Sequence, residues 1–179
     1  MYDVFISYSS EDIKVAKAVV KCLEANKIKC WIAYRDAQTG IEFAASIIDA
    51  IKRTKMTLLI LTRSSNASKH CLREIDAAVK YEKTVVAFKI EEVRLTNALE
   101  YYLSTTHWLV ATSGSLESHF KKLVVETCNH LGRSVRSTGK IDKRIKSEIK
   151  KQKKEIKKQK KEIKKLQKKN IKVKKKSLK

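Results

Sequence analysis

The sequence predicts an α/β sandwich built on a five-stranded parallel sheet, followed by a basic helical tail. Three observations predict it. Apolar strand-like runs alternate five times with segments of helical periodicity, which demands right-handed crossovers and a sheet covered by helices on both faces. The opening run, YDVFISYSSED from Tyr2 to Asp12, is apolar on both faces through Val4, Phe5 and Ile6, as suits a central strand, and then ends abruptly in hydroxyls. The formal charge of +22 over 179 residues is unevenly placed: residues 140–179 hold 21 Lys or Arg against 4 Asp or Glu, leaving residues 1–139 at only +5.

Each element follows from its spacing. After the first strand, Asp12 is placed to cap a helix over Asp12 to Asn26, whose Ile13, Ala16, Val19, Val20 and Leu23 form one buried stripe. Ile28 to Ala33 is the second strand, Tyr34 to Gly40 a loop, and Phe43, Ile47, Ile48 and Ile51 mark the next helix. Met56 to Thr62 is almost wholly apolar and reads as an interior strand; Ser64 to Ser68 is polar. Lys69 to Tyr81 is helical with Leu72, Ile75, Ala78 and Val79 inward, Thr84 to Ile90 is a fourth strand, and Leu95 to Leu103 is a short helix. His107 to Val110 is the fifth strand, with His107 and Trp108 expected in packing rather than in ligand binding. Leu116 to Leu131 closes the domain, ended by Gly132. The whole is a flavodoxin-like three-layer sandwich over residues 1–131, with a linker at 132–140 and a Lys-rich heptad helix at 141–176.

Composition narrows the function. Cys22, Cys30, Cys71 and Cys128 form no CxxC pair, which argues against a zinc ribbon or a redox motif and suits reduced, buried thiols in a cytoplasm. No metal site is expected. No secretory signal opens the chain, and no apolar run approaches the length of a membrane span. A phosphoryl-receiving domain would need Asp just after the third strand, where Thr62, Arg63 and Ser64 stand. A dinucleotide-carrying GxGxxG turn is excluded because no glycine precedes Gly40, and no GxxxxGK[ST] loop occurs.

Four ordered segments carry a resemblance: YDVFISYSSED on the first strand, CWIAYRDAQTG at the second strand and its loop, SKHCLREID at the third helix, and YYLSTTHWL near the fifth strand. Together they resemble a Toll/interleukin-1 receptor (TIR) domain of the bacterial and archaeal type over about Met1 to Leu131. Many such domains cleave NAD+ between nicotinamide and ribose, releasing ADP-ribose or a cyclic isomer, in signalling or antiphage defence. Others are non-catalytic adaptors that assemble through the domain. The resemblance implies that NAD+ is a substrate rather than a cofactor. It places the catalytic carboxylate at Glu74, and substrate contacts at Ser9, Ser10, Arg35, Asp36, Gln38, Phe43 and His70. His70 stands where relatives often carry Trp, and Tyr34 where bacterial relatives often carry Pro. Without the resemblance, Glu74 reads as an exposed helical acid paired with a lysine. With it the chemistry is coherent: nicotinamide leaves without needing an acid, and one carboxylate can stabilise the positive charge that grows on the ribose.

The tail stands apart. Ile149, Ile156 and Ile163 recur every seven residues, with Ile145, Gln152, Gln159, Leu166 and Val173 as the second seam, and QKKEIKK occurs twice in succession. Glutamines on one seam, Asn170 on the other and the crowded lysines weaken pairing. Three readings stay open: an oligomerising coil, which together with the TIR domains would make a homo-oligomer, a solvated single helix, or a polybasic arm for nucleic acid or an anionic surface. The arm lacks the aromatic interleaving that stacks on single strands.

Overall fold

A computed structural model of the chain describes residues 1–37 and 43–133; the expected linker from residue 134 onward and the heptad tail lie outside the described residues. In chain order the elements are β1 (Val4–Ser7), α1 (Ile13–Ala25), β2 (Cys30–Ile32), α2 (Ala33–Asp36), α3 (Phe43–Arg53), β3 (Met56–Leu61), α4 (Arg63–Ala67), α5 (Lys69–Lys80), β4 (Thr84–Lys89), α6 (Asn97–Leu103), β5 (His107–Val110) and α7 (Leu116–His130). All five strands pair in parallel in the order β2-β1-β3-β4-β5, the flavodoxin-like arrangement. The register is set from the first strand, where Phe5 lies opposite Trp31 on one side and Thr57 on the other. Strand side chains alternate between faces, so Phe5 and Ser7 share one face of the sheet.

That face is covered by α3, α5 and α6. Its core joins Phe5, Trp31, Leu59, Leu61, Cys71, Ile75, Ala78, Ala87, Leu99 and Leu103, with the Phe5 and Trp31 rings stacked at 4.9 Å. The opposite face carries α1 and α7, which pack on each other, α1 also meeting β2 and α7 meeting β5. Phe88 of β4 meets Phe120 of α7 there at 6.3 Å between ring centroids. At the amino-terminal rim Arg133 grips Asp3 through two bonds, Nη2 to Oδ1 at 2.6 Å and Nη1 to Oδ2 at 3.0 Å, while Lys29 N–H donates to Oδ2. Gly132, at φ 63°, gives the left-handed turn that ends α7 and brings Arg133 to this position.

Several local expectations are corrected. The segment after β2 is not loop from Tyr34 but the short helix α2, and Ser64 to Ser68, expected as a polar connection, lies largely in α4. A reciprocal cap builds α4: Thr62 Oγ1 accepts from Ser65 N–H and Ser65 Oγ accepts from Thr62 N–H. Asp12 does not cap α1; its carboxylate is taken by the Thr62 hydroxyl at 2.6 Å. Val79 is 43% exposed, while the neighbouring Ala77 and Ala78 are the residues of that turn that are buried. His107 and Trp108 are exposed rather than buried, since β5 is an edge strand, although Trp108 Nε1–H does donate to Leu103 O. The four cysteines are free thiols, all buried. Among the described residues no helix is long and apolar enough to cross a membrane.

Candidate active site

The strand order reverses direction between β1 and β3, and in open α/β sheets the crevice outside the carboxyl ends of the strands at such a point is the natural ligand site. Ser7 is the last residue of β1, opposite Leu59 and fully buried. Above it runs α5, packed on β1, β3 and β4 and opened by Ser68, whose hydroxyl accepts from Cys71 N–H. Cys71, Ile75 and Ala78 form the buried stripe of α5. Glu74, one turn after Cys71, falls on the border of that stripe and is half-buried. Its Oε2 accepts a 2.6 Å hydrogen bond from Ser7 Oγ. Burial pushes the Glu74 carboxyl up to about 7, the Ser7 hydrogen bond pulling the other way. Among the described residues it has no ion-pair partner.

Two further groups close around this pair. Tyr8, half-buried, lies near both Glu74 and Tyr34, and its phenol is raised, mainly by burial. The fully buried Cys71 lies against Ser7 and Glu74, and burial pushes its thiol up to about 11, so it is not a thiolate at neutral pH. Along the same rim the Asp12 carboxyl, raised chiefly by burial, meets Thr62, and Glu11 accepts from the Ser64 hydroxyl at 2.6 Å. These bonds tie the turn after β1 to the turn after β3, holding the floor of the crevice.

The other expected site residues occupy different positions. Ser9 is buried and accepts Asp12 N–H through its carbonyl; Ser10 is exposed and opens the short turn before α1. His70 is exposed in the first turn of α5, four residues before Glu74 and so on the same helical face. Phe43 is 40% exposed at the first residue of α3. Arg35 and Asp36 are engaged with the protein itself: Arg35 Nη1 bonds Glu24 Oε1 at 2.9 Å, its Nη2 bonds Cys30 O at 2.6 Å, and Asp36 Oδ2 accepts from Ile32 N–H at 2.9 Å. Gln38 lies outside the described residues. Cavities of about 610 Å³ at the amino-terminal rim, beside Thr84 and His107, and of about 460 Å³ between Trp31 and α3 are separate from Glu74. The residues that sequence reasoning passed over are Ser7, Tyr8 and Cys71. Of these only Ser7 had a signal, in alternation: the hydroxyl two residues after Phe5 had to point to the same face.

Fold and crevice together define a flavodoxin-like domain that presents a half-buried carboxyl at the switch point of its sheet. The chain belongs to the TIR-domain family, whose model matches residues 4–124. Among solved structures it is similar to the TIR domain of the Toll-related receptor TRR-2 of Hydra magnipapillata, at 22% identity and a TM-score of 0.62, covering 72% of this chain and 99% of that one. It is also similar to the CMP N-glycosidase BcmB of Clostridium botulinum, at 15% identity and a TM-score of 0.51, covering 68% and 97%. No curated protein matches the sequence.

Proposed function

We propose that this TIR domain is a cytoplasmic NAD+ glycohydrolase that breaks the bond between nicotinamide and ribose, with Glu74 as the catalytic carboxylate. The observation that carries the reading is the carboxyl itself: an acid drawn out of water at the switch point and held by Ser7, with no cation beside it among the described residues. A charge so placed costs stability, and such groups concentrate at functional sites. The fold-level neighbour BcmB acts, by its name, on an N-glycosidic bond, the same class of bond.

The chemistry needs one negative group and no general acid at the leaving group. Nicotinamide departs with the bonding electron pair and is neutral once free, while positive charge develops at the ribose anomeric carbon. Ionised Glu74 stabilises that charge in a site where water is partly excluded and the interaction is strong. Water then bonds to the anomeric carbon and releases a proton, giving ADP-ribose; attack by an adenine nitrogen gives a cyclic isomer instead. The cationic nicotinamide ring, when bound, favours the ionised form of the nearby carboxyl.

The test is direct. Incubating the full chain with NAD+ should release nicotinamide and a ribosyl product, resolved by chromatography. Glu74→Gln should lower that rate by about 10²–10³-fold or more while leaving the domain folded. A folded Glu74→Gln protein that works at the wild-type rate refutes the assignment. Untouched NAD+ with folded, assembled wild-type protein would leave the non-catalytic adaptor as the better reading.

A further inference from the structure

We infer that Ser7 is a positioning residue that fixes the carboxylate of Glu74 and favours its ionised form. The inference rests on the reading of Glu74 as the catalytic group, and it adds a second residue, from a different element, to the same reaction.

The argument begins with an oddity of the strand. Ser7 is fully buried, on the face it shares with Phe5 and, through the register with β3, with Leu59 and Leu61. A hydroxyl in such surroundings costs free energy unless it is bonded, and alanine would fill nearly the same space. Thr57, on that same face, shows the alternative, since its Oγ1 is buried without a hydrogen-bond partner among the described residues. The Ser7 hydroxyl is different, because its single proton goes to Glu74 Oε2 at 2.6 Å, the short distance of a bond to a charged oxygen.

The geometry gives that bond a consequence. A glutamate on a helix reaches its target through three rotatable bonds, so its carboxylate is poorly placed unless something holds the end. The backbone of β1 pairs with β2 as far as Ile6 and with β3 as far as Ser7 opposite Leu59, so the hydroxyl on its last residue stands on a fixed strand end. Cys71 lies one helical turn before Glu74, against the same hydroxyl, and limits where the serine can turn. Misplacing a reacting group by about an ångström can cost about a hundredfold in rate. The donor also opposes the effect of burial on Glu74, keeping more of the carboxylate form at neutral pH.

Ser7→Ala tests this in two ways. In NAD+ cleavage, kcat should fall about tenfold at neutral pH with KM little changed, and the midpoint of the rising limb of the pH profile should move up by about one pH unit. Independently of any substrate, 13C NMR of labelled glutamate side chains, with the Glu74 signal assigned from Glu74→Gln, should show the carboxyl titrating about one pH unit higher in Ser7→Ala. Ser7→Thr, which keeps the donor, should restore both midpoints. Should Ser7→Ala fail to fold, Ser7→Cys, of similar size with a weaker donor, should give an intermediate shift. Equal titration midpoints in wild type and a folded hydroxyl-deficient variant overturn the inference. If wild type does not cleave NAD+ but the NMR midpoint still moves, the catalytic reading has failed and the Ser7 hold on Glu74 has not.

Discussion

Replacing Glu74 by glutamine should stabilise the folded domain in alkaline solution and leave it nearly unchanged in acid. The folded carboxyl titrates near 7 where an unperturbed one titrates at 4.5, because burial disfavours its charge. A raised carboxyl binds its proton more tightly in the native state than in the unfolded chain, so stability falls as pH rises from about 4.5 through about 7. Below that window Glu74 is protonated in both states and costs little. Above it the native state bears the full penalty, on the order of 2 kcal/mol for a partly exposed carboxyl. Glutamine has almost the same shape, can still accept from Ser7, and carries no charge to bury. Urea unfolding of wild type and Glu74→Gln at about pH 5 and about pH 9 measures the difference, with His130, Asp12 and the other titrating groups cancelling between the two proteins. In melting temperature the gain at the higher pH should be several degrees. A stability difference between the two proteins that is the same at both pH values refutes the idea that burial raises the Glu74 carboxyl.

The remaining predictions concern catalysis, the rim and the tail. If the ionised form works, the rate of nicotinamide release at low NAD+ should climb through about pH 7 and level off above it; a profile flat from about pH 5 to 9 would separate activity from Glu74 ionisation. Arg133→Met leaves the Asp3 carboxylate, only 8% exposed in its side chain, without its cationic partner and should cost about 2–3 kcal/mol in urea unfolding, with NAD+ cleavage in the folded fraction unchanged. A thiol reagent at neutral pH should leave the native protein unmodified and add four groups once it is unfolded; rapid labelling of Cys71 in the native state would contradict its burial. Removing Thr138 to Lys179 should lower specific activity steeply in dilute protein and little in concentrated protein if the heptads gather domains, and superimposable dilution curves would dismiss that role.

Hydrophobic spacing made most of the framework legible. β1, β3, α5 and β5 were readable to within a residue or so because each is a run of apolar side chains with one period, bounded by a polar change. What periodicity could not supply was anything decided between side chain and backbone. The cap of Thr62 with Ser65 turns a polar stretch into α4, and the same Thr62 takes the carboxylate of Asp12 away from α1. Strand order was equally hidden: a sequence does not say that β5 is an edge, and so His107 and Trp108 read as packing when they are exposed. At the site, resemblance named Glu74 but not its holder. Four consecutive residues, Ser7 to Ser10, offered three hydroxyls and a phenol; alternation from Phe5 turns Ser7 to the α5 face, but that the strand ends at Ser7, leaving Ser9 and Ser10 to the turn beyond it, had to be seen in the structure.

The position of β1 also dictates how the polypeptide can acquire its shape as it is synthesised. The first strand made is an interior one, so neither of its edges is satisfied by anything already built: β2 closes one side after Ile32 and β3 the other only after Leu61. The face lined by Phe5 and Leu59 receives α3, α5 and α6 as synthesis proceeds, whereas Phe88 on the opposite face waits for Phe120, in the last helix of the domain. A nascent chain that has finished β5 therefore still exposes part of an apolar sheet surface until α7 emerges. That interval is when a half-made molecule is most open to association with its neighbours on the ribosome or with a chaperone.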